Sequence, residues 1–151
     1  SGTVIGSPAF YYYGEGEKKK LVYSSGTVHI YEGATIHTNV TIQKGVIGGE
    51  TKIGRFSSID NCIMVGHDTW IGEGVIAAAN ITFGGWSEVK DNTFVGVQSC
   101  LAPKVVVGKN CKISMGAVVT KDVPDNSQVS GNFAIDHKIY IEHLKSILNA
   151  K

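Results

Sequence analysis

Starting at Ile53, every sixth residue is apolar for twelve steps: Ile53, Ile59, Val65, Ile71, Ala77, Phe83, Val89, Val95, Leu101, Val107, Ile113 and Val119. The residue four places after each is small or branched, from Ser57, Ile63 and Thr69 through Cys111, Ala117 and Val123. Gly follows directly at 54, 66, 72, 84, 96 and 108. A phase held this long is a structural repeat, and it sets the fold before any other feature is read.

Six residues are too few for a helix pair and right for a short strand plus a corner. Along a strand, side chains four apart point the same way, so each bulky/small pair shares one core face. The Gly after each anchor suits a bend, because Gly tolerates positive φ. Three strands and three corners close a triangular coil of eighteen residues, and coils stack about 4.8 Å apart by strand pairing. The expected architecture is all-β, a parallel β-helix with three core columns. Ile53, Ile71, Val89 and Val107 form the first. Ile59, Ala77, Val95 and Ile113 form the second, and Val65, Phe83, Leu101 and Val119 the third. An ordinary β-sandwich does not hold one phase without slips.

The chain enters a repeat at once, at Val4-Ile5-Gly6, which points to an upstream part before Ser1-Gly2. Residues 7 to 27 break the pattern. Ser7-Pro8 and Gly14-Glu15-Gly16 are turn signals, and Lys18 to Lys20 is a solvated charge run. Between them lies Phe10-Tyr11-Tyr12-Tyr13, read as a projecting hairpin with Leu21-Val22-Tyr23 as the return strand. The repeat resumes at Ile30, Ile36 and Ile42, but the next anchor comes five residues late, at Ile53. The extra residues fall in Gly45 to Glu50 and leave the corner after the third face, one coil before His67. After Val119 the repeat ends at Asp122-Val123-Pro124-Asp125-Asn126. Ile135 to Ala150 then reads as a helix, with Tyr140, Leu144, Ile147 and Leu148 at helical spacing, covering the open end of the coil. The organisation is a partial first coil and hairpin over 1–27, a β-helix over 28–124, and a turn and helix over 125–151.

The net charge of +1 gives no case for nucleic acid or an acidic membrane. Cys62, Cys100 and Cys111 form no paired framework, with Cys111 inward in the core, which suits a reducing cytosol. No apolar run has the length of a membrane span, and no signal peptide is evident.

With the core closed, chemistry belongs on the corners. Two places after each third-face anchor stand His67, Gly85, Pro103 and Lys121, one above another in successive coils. An imidazole exchanges a proton near neutral pH. The bare N–H of Gly85 can face a developing oxyanion. A lone His is commonly just a surface residue. Here the Gly66-His67-Asp68 setting, the column and the adjacent insertion favour a catalytic base. Asp68 and Asp60, the latter in Ser58-Ile59-Asp60-Asn61, are rival carboxylates for orienting the ring, and either can simply solvate a turn. Tyr11, Tyr12 and Tyr13 can wall a sugar or base, or pack against a neighbouring subunit. Lys104, Lys109, Lys112 and Lys121 cluster in the later coils, either to meet phosphates or as a solvated face. Trp86 borders the cleft or packs between subunits.

The repeat resembles the hexapeptide-repeat acyltransferases over about two thirds of the chain. That resemblance implies a left-handed coil and a homotrimer with active sites between subunits. The order Val4-Ile5-Gly6-Ser7, aromatic hairpin, Ile42-Gln43-Lys44-Gly45, insertion, Ile59-Asp60-Asn61 and Gly66-His67-Asp68 is similar to the catalytic domain of the UDP-3-O-acylglucosamine N-acyltransferases. Gly66-His67-Asp68 with Leu101-Ala102-Pro103-Lys104-Val105 also looks like the bacillosamine and sialic acid acetyltransferases, which have an acidic residue beside the His and use acetyl-CoA. The resemblance implies a cytoplasmic enzyme that acylates the amine of a nucleotide-activated sugar by direct transfer. His67 would be the general base and Gly85 the oxyanion donor. Acetyl-CoA, another acyl-CoA or acyl carrier protein would be the donor, with no metal. Donor contacts are expected at Gly84, Trp86, Pro103, Lys104 and Lys121, and acceptor contacts at Tyr11 to Tyr13 and Asn61. The rival classes are a sugar or serine O-acetyltransferase, an inactive scaffold, and a carbonic-anhydrase-like zinc enzyme. The last needs close-spaced His ligands, and His29, His37, His67, His137 and His143 do not supply them.

Overall fold

The computed structural model describes residues 1–131 and 134–149 of the chain. Strands of two to four residues build three parallel sheets, one per face of a left-handed coil. The first sheet runs from Thr27–Ile30 through Glu50–Ile53, Trp70–Ile71 and Glu88–Val89 to Val106–Val107. The second runs from Thr35–Ile36 through Ser58–Ile59, Ile76–Ala77, Phe94–Val95 and Lys112–Ile113 to Gln128–Val129. The third runs from Val4–Ser7 through Thr41–Gln43, Met64–Val65, Thr82–Phe83 and Cys100–Leu101 to Val118–Val119. The register is the expected one. Ile53, Ile71, Val89 and Val107 lie opposite one another, as do Ile59, Ala77, Val95 and Ile113, and Val65, Phe83, Leu101 and Val119. All twelve are at most 5% exposed. A large aliphatic side chain sealed in this way contributes about 1.5–3 kcal/mol.

The inward residue four places on closes each corner. Three of the polar ones bind a main-chain carbonyl: Ser57 Oγ donates to Gly72 O, Thr69 Oγ1 to Gly84 O and Thr93 Oγ1 to Gly108 O, at 2.7, 3.1 and 2.8 Å, while Ser87 Oγ is buried with no partner among the described residues. Where it is apolar it joins the core, as Ile63, Val75, Ile81 and Cys111 do.

The glycines after the anchors serve a different end from the one their position suggests. Gly54, Gly66, Gly72, Gly84, Gly96 and Gly108 are not at positive φ. A Cβ on any of them would press on the next coil: at Gly54 on Gly72 O, at Gly66 on Gly85 N, at Gly96 on Met115 N. They are glycine because the coils approach there. The left-handed residue stands two places later, at Phe56, Cys62, Asp68, Asn80, Trp86, Asn92, Gln98, Lys104 and Asn110, all with φ between 53 and 66°. Gly74 and Gly116 take the same slot. The bend is held by an amide bond to the coil before, such as Gln98 N to Ala79 O and Lys104 N to Gly85 O, at 3.1 and 3.0 Å. These bonds hold side-chain-bearing residues in a region that costs them about 1–2 kcal/mol each.

Two excursions leave this frame, both after the third face. The first is the hairpin, in which Tyr12–Tyr13 pairs antiparallel with Lys20–Leu21 around a single turn at Gly16–Lys18. The return strand is thus shorter and earlier than Leu21 to Tyr23, although Val22 N still donates to Tyr11 O at 2.8 Å. The second is the insertion after Lys44. Glu50 belongs not to the insertion but to strand Glu50–Ile53, which pairs residue for residue with Thr27–Ile30.

The C-terminal end departs from expectation in two ways. Gln128–Val129 adds a strand beyond Pro124 to the second sheet, and Val123 bridges Val107 on the first. The helix runs His137–Asn149, started by Asp136 Oδ1, which accepts the N–H groups of Lys138 and Ile139 at 3.0 and 3.4 Å. Ala150 lies outside the described residues. No helix residue is buried, and Tyr140, Leu144, Ile147 and Leu148 are exposed. The helix therefore does not cap the coil within one chain; the turn and last strand extend the ladder instead. Among the described residues no helix is long and apolar enough to cross a membrane.

The two glycine classes separate by substitution. Gly54→Ala is expected to lower the unfolding free energy by about 1–3 kcal/mol through overpacking against the neighbouring coil. Gln98→Gly relieves a left-handed side chain and is expected to stay within about 1 kcal/mol of the parent. Denaturant titration of both variants checks the assignment, and equal losses would contradict it.

Candidate active site

His67 follows the third-face strand Met64–Val65 and sits on the corner from which both excursions leave. The corners stack in register, with Trp86 N donating to His67 O at 2.9 Å and Lys104 N to Gly85 O at 3.0 Å. The imidazole Nδ1 lies 2.9 Å from Asp68 Oδ2. Asp68 is itself held from three sides. Its φ of 55° turns the carboxylate back over the corner, and its N–H donates to Thr51 Oγ1 at 2.9 Å. Its Oδ2 also accepts Val46 N–H, from the insertion, at 3.0 Å. A side chain on Gly49 would collide with the same carboxylate. The insertion is thus moulded around Asp68, and Asp68 around His67. With Nδ1–H given to the carboxylate, Nε2 carries the lone pair and can take a proton.

Nε2 has no hydrogen-bond partner among the described residues and is not one of the sealed polar atoms. It faces Gly85, where a Cβ would stand 2.6 Å away, so this glycine keeps the space before the imidazole open. The Gly85 N–H likewise has no acceptor among the described residues. Two equivalent corner amides, those of Glu73 and Lys109, are capped from the next coil. Asp91 Oδ1 accepts Glu73 N–H and Asp125 Oδ1 accepts Lys109 N–H, at 3.0 and 2.8 Å. The Asp91 carboxyl is held below its ordinary range by the Lys109 ammonium and then by that same N–H. The residue above Gly85 is Pro103, which has no side-chain acceptor, and the amide stays available.

Two rings cover the imidazole. Trp86 meets the imidazole edge-on at 4.2 Å between centroids. Tyr11, brought over by the hairpin, lies 5.8 Å from the imidazole and 5.5 Å from Trp86. Lys104 Nζ stands 5.7 Å from the Trp86 ring centre. His67 is left 7% exposed.

Of the residues singled out in the sequence, His67, Asp68, Gly84, Gly85, Trp86, Pro103, Lys104 and Tyr11 come together. Others do not. Asp60 accepts the backbone and side-chain amides of Asn61 and lies 3.9 Å from His37, on the corner after the second face. Asn61 Oδ1 caps Thr38 N–H on that corner. Asp68, not Asp60, orients the imidazole. Tyr12 packs on Phe10 and under Lys19, and Tyr13 pairs with Lys20, both turned to the hairpin. The four lysines do not cluster. Lys109 is paired with Asp91 on the first corner at 2.9 Å, and Lys112 is in a second-sheet strand. Only Lys104 and Lys121 follow the third face, and Lys121 lies at a cavity of about 290 Å³ lined by the last coil. Gln43, whose Oε1 accepts His67 N–H at 3.2 Å, and Thr51 were not singled out in the sequence. Both flank the insertion, and Gln43 stands in the Ile42-Gln43-Lys44-Gly45 stretch that carries the resemblance. Among the described residues no group of three or more His, Cys, Asp or Glu is placed to hold a metal ion.

No family profile matches the chain. It is 30% identical over 131 residues to the UDP-3-O-acylglucosamine N-acyltransferase of Caulobacter sp. (strain K31), covering 87% of this chain and 38% of that protein. It is 32% identical over 142 residues to UDP-3-O-acylglucosamine N-acyltransferase 1 of Gloeobacter violaceus, covering 94% and 40%. The chain thus spans 38–40% of the length of these curated relatives. Among solved structures, PerB from Caulobacter crescentus, in complex with CoA and GDP-perosamine, superposes with a TM-score of 0.64 at 26% identity, over 72% of this chain and 50% of that one. Repeat, coil and relatives agree: the chain belongs to the hexapeptide-repeat acyltransferases.

Proposed function

We propose that this chain transfers an acyl group from a thioester of coenzyme A or acyl carrier protein to the amine of a nucleotide-activated amino sugar. One observation carries the reading: an imidazole fixed through Nδ1 by Asp68, with Nε2 free above Gly85 and its uncapped N–H. Relatives named for N-acylation of an acylglucosamine nucleotide, and a structural neighbour holding CoA and a GDP-sugar, support the substrate classes.

In this reading the amine nitrogen attacks the thioester carbonyl carbon while His67 Nε2 takes its proton. The carbonyl oxygen becomes an oxyanion against the Gly85 N–H. As the tetrahedral intermediate collapses the C–S bond breaks, and the thiolate takes the proton back from Nε2, leaving an amide and a free thiol. Asp68 holds the tautomer and stabilises the imidazolium. Gly84, Trp86 and Pro103 border the donor, Lys104 and Lys121 meet its phosphates, and the hairpin faces the acceptor. The working unit is a homotrimer, supported by the exposed Ile76, Phe94, Val97 and Met115 on and beside the second sheet. Thioesters and nucleotide sugars are made inside the cell, so the reading carries a cytoplasmic enzyme.

His67→Ala is expected to keep the fold and lower kcat by roughly 10² to 10⁴, the usual worth of a general base. Thiol release with nucleotide amino sugars measures it, and an unchanged rate would remove His67 from the mechanism. Asp68→Asn is expected to lower kcat and to speed amide exchange around Val46, since one carboxylate serves both ring and insertion. Rate loss without that exchange change would separate the two roles. Light scattering is expected to give three times the 16.1 kDa chain mass; a monomer would end the shared-cleft arrangement.

A further inference from the structure

The three rings around the base carry information about the acyl group. Tyr11, His67 and Trp86 stand 4.2, 5.5 and 5.8 Å apart by centroid. Aromatic rings in contact lie roughly 4.5–7 Å apart, so the three rings pack on one another. Trp86 is the residue after Gly85, and its ring lies edge-on against His67 while staying 40% exposed. This placement is enforced. Trp86 has a left-handed backbone, φ 59°, in which a bulky side chain is a genuine outlier. It is held there by its N–H bond to His67 O and by the Lys104 ammonium over its ring. The hairpin adds Tyr11, whose carbonyl is tied to Val22 N–H at 2.8 Å. The wall is therefore built by two separate segments.

A thioester carbonyl carbon within reach of both the Gly85 N–H and an amine at Nε2 has two substituents to place. The sulfur must lead away to the long body of the donor. The acyl chain is left facing Trp86 and Tyr11. We infer that these two rings are specificity-determining residues that restrict transfer to short acyl groups, of the size of acetyl. The inference rests on the acyl-transfer reading above and narrows it.

The experiment compares kcat/KM for acetyl-, butyryl-, octanoyl- and dodecanoyl-CoA with one nucleotide amino sugar, in the parent protein, Trp86→Ala and Tyr11→Ala. The parent is expected to prefer acetyl-CoA and to lose tenfold or more by octanoyl. Each substitution is expected to raise the octanoyl-to-acetyl ratio by about tenfold or more, the range that a few methylenes in a shaped apolar site discriminate, whatever happens to the absolute rate. Tyr11, on an exposed hairpin, keeps the test open should Trp86→Ala unfold. A parent that prefers octanoyl or dodecanoyl, or ratios unmoved in both folded variants, overturns the inference while leaving the transfer reading intact. No transfer from any thioester overturns that reading, and the inference with it.

Discussion

Each coil hangs on main-chain hydrogen bonds to the next, at one spacing and in one register. Gly54 N to Ile71 O and Gly72 N to Val89 O, both 2.7 Å, are two steps of that ladder. A parallel ladder turned through three corners per coil demands two things of the chain. At Gly54, Gly66, Gly72, Gly84, Gly96 and Gly108 no Cβ can stand directly after the anchor without meeting the next coil. A left-handed residue must come two places later to swing the strand onto the next face. The first demand explains the recurrent glycines, and the second is met by Asn, Asp and even Trp and Phe, each held by an amide bond to the coil before. Because the ladder does not slip, residues eighteen apart lie one above another, and a site can be assembled from single residues of successive turns.

That rigidity gives meaning to the corner after the third face, where the pattern is broken repeatedly. The hairpin leaves it after Ser7, the insertion after Lys44, and Pro103 interrupts its amides. Loops on a rigid scaffold are where function concentrates, and here both loops return to one imidazole. Asp68 accepts from the insertion and from the ring with the same oxygen. Tyr11 and Trp86 exclude water from one side of the ring, which strengthens each polar interaction beneath them. The imidazole is thus held in one orientation by a carboxylate that is itself tied to the insertion.

The same corner shows how a common structural device is converted by omission. Where Asp91 and Asp125 stand, corner amides are capped and the ladder is merely tidied. Where Pro103 stands, the Gly85 amide has no acceptor among the described residues, beside an imidazole Nε2 that has no partner among them either. The two open groups are adjacent because Gly85 has no side chain to separate them.

The sequence by itself determined the coil, its three columns and their register. Those follow from a six-residue period of apolar side chains, and burial of that period has a single geometric solution. The stacking of His67 beneath Gly85 was legible for the same reason, as was the insertion's corner. What the anchor glycines do was not legible, because period alone does not distinguish a residue that bends from one that makes room. Nor was the choice between Asp68 and Asp60. It depended on which carboxylate the left-handed corner and the insertion amide turn toward the ring. The hairpin's reach was open too, since a two-strand excursion can lean either way from its base. Only the packed structure laid Tyr11 on His67 and Trp86, kept Tyr12 and Tyr13 out, dispersed the lysines over different edges, and left the C-terminal helix with its apolar stripe uncovered. Those outcomes rest on contacts between segments with no common period, which local sequence does not encode.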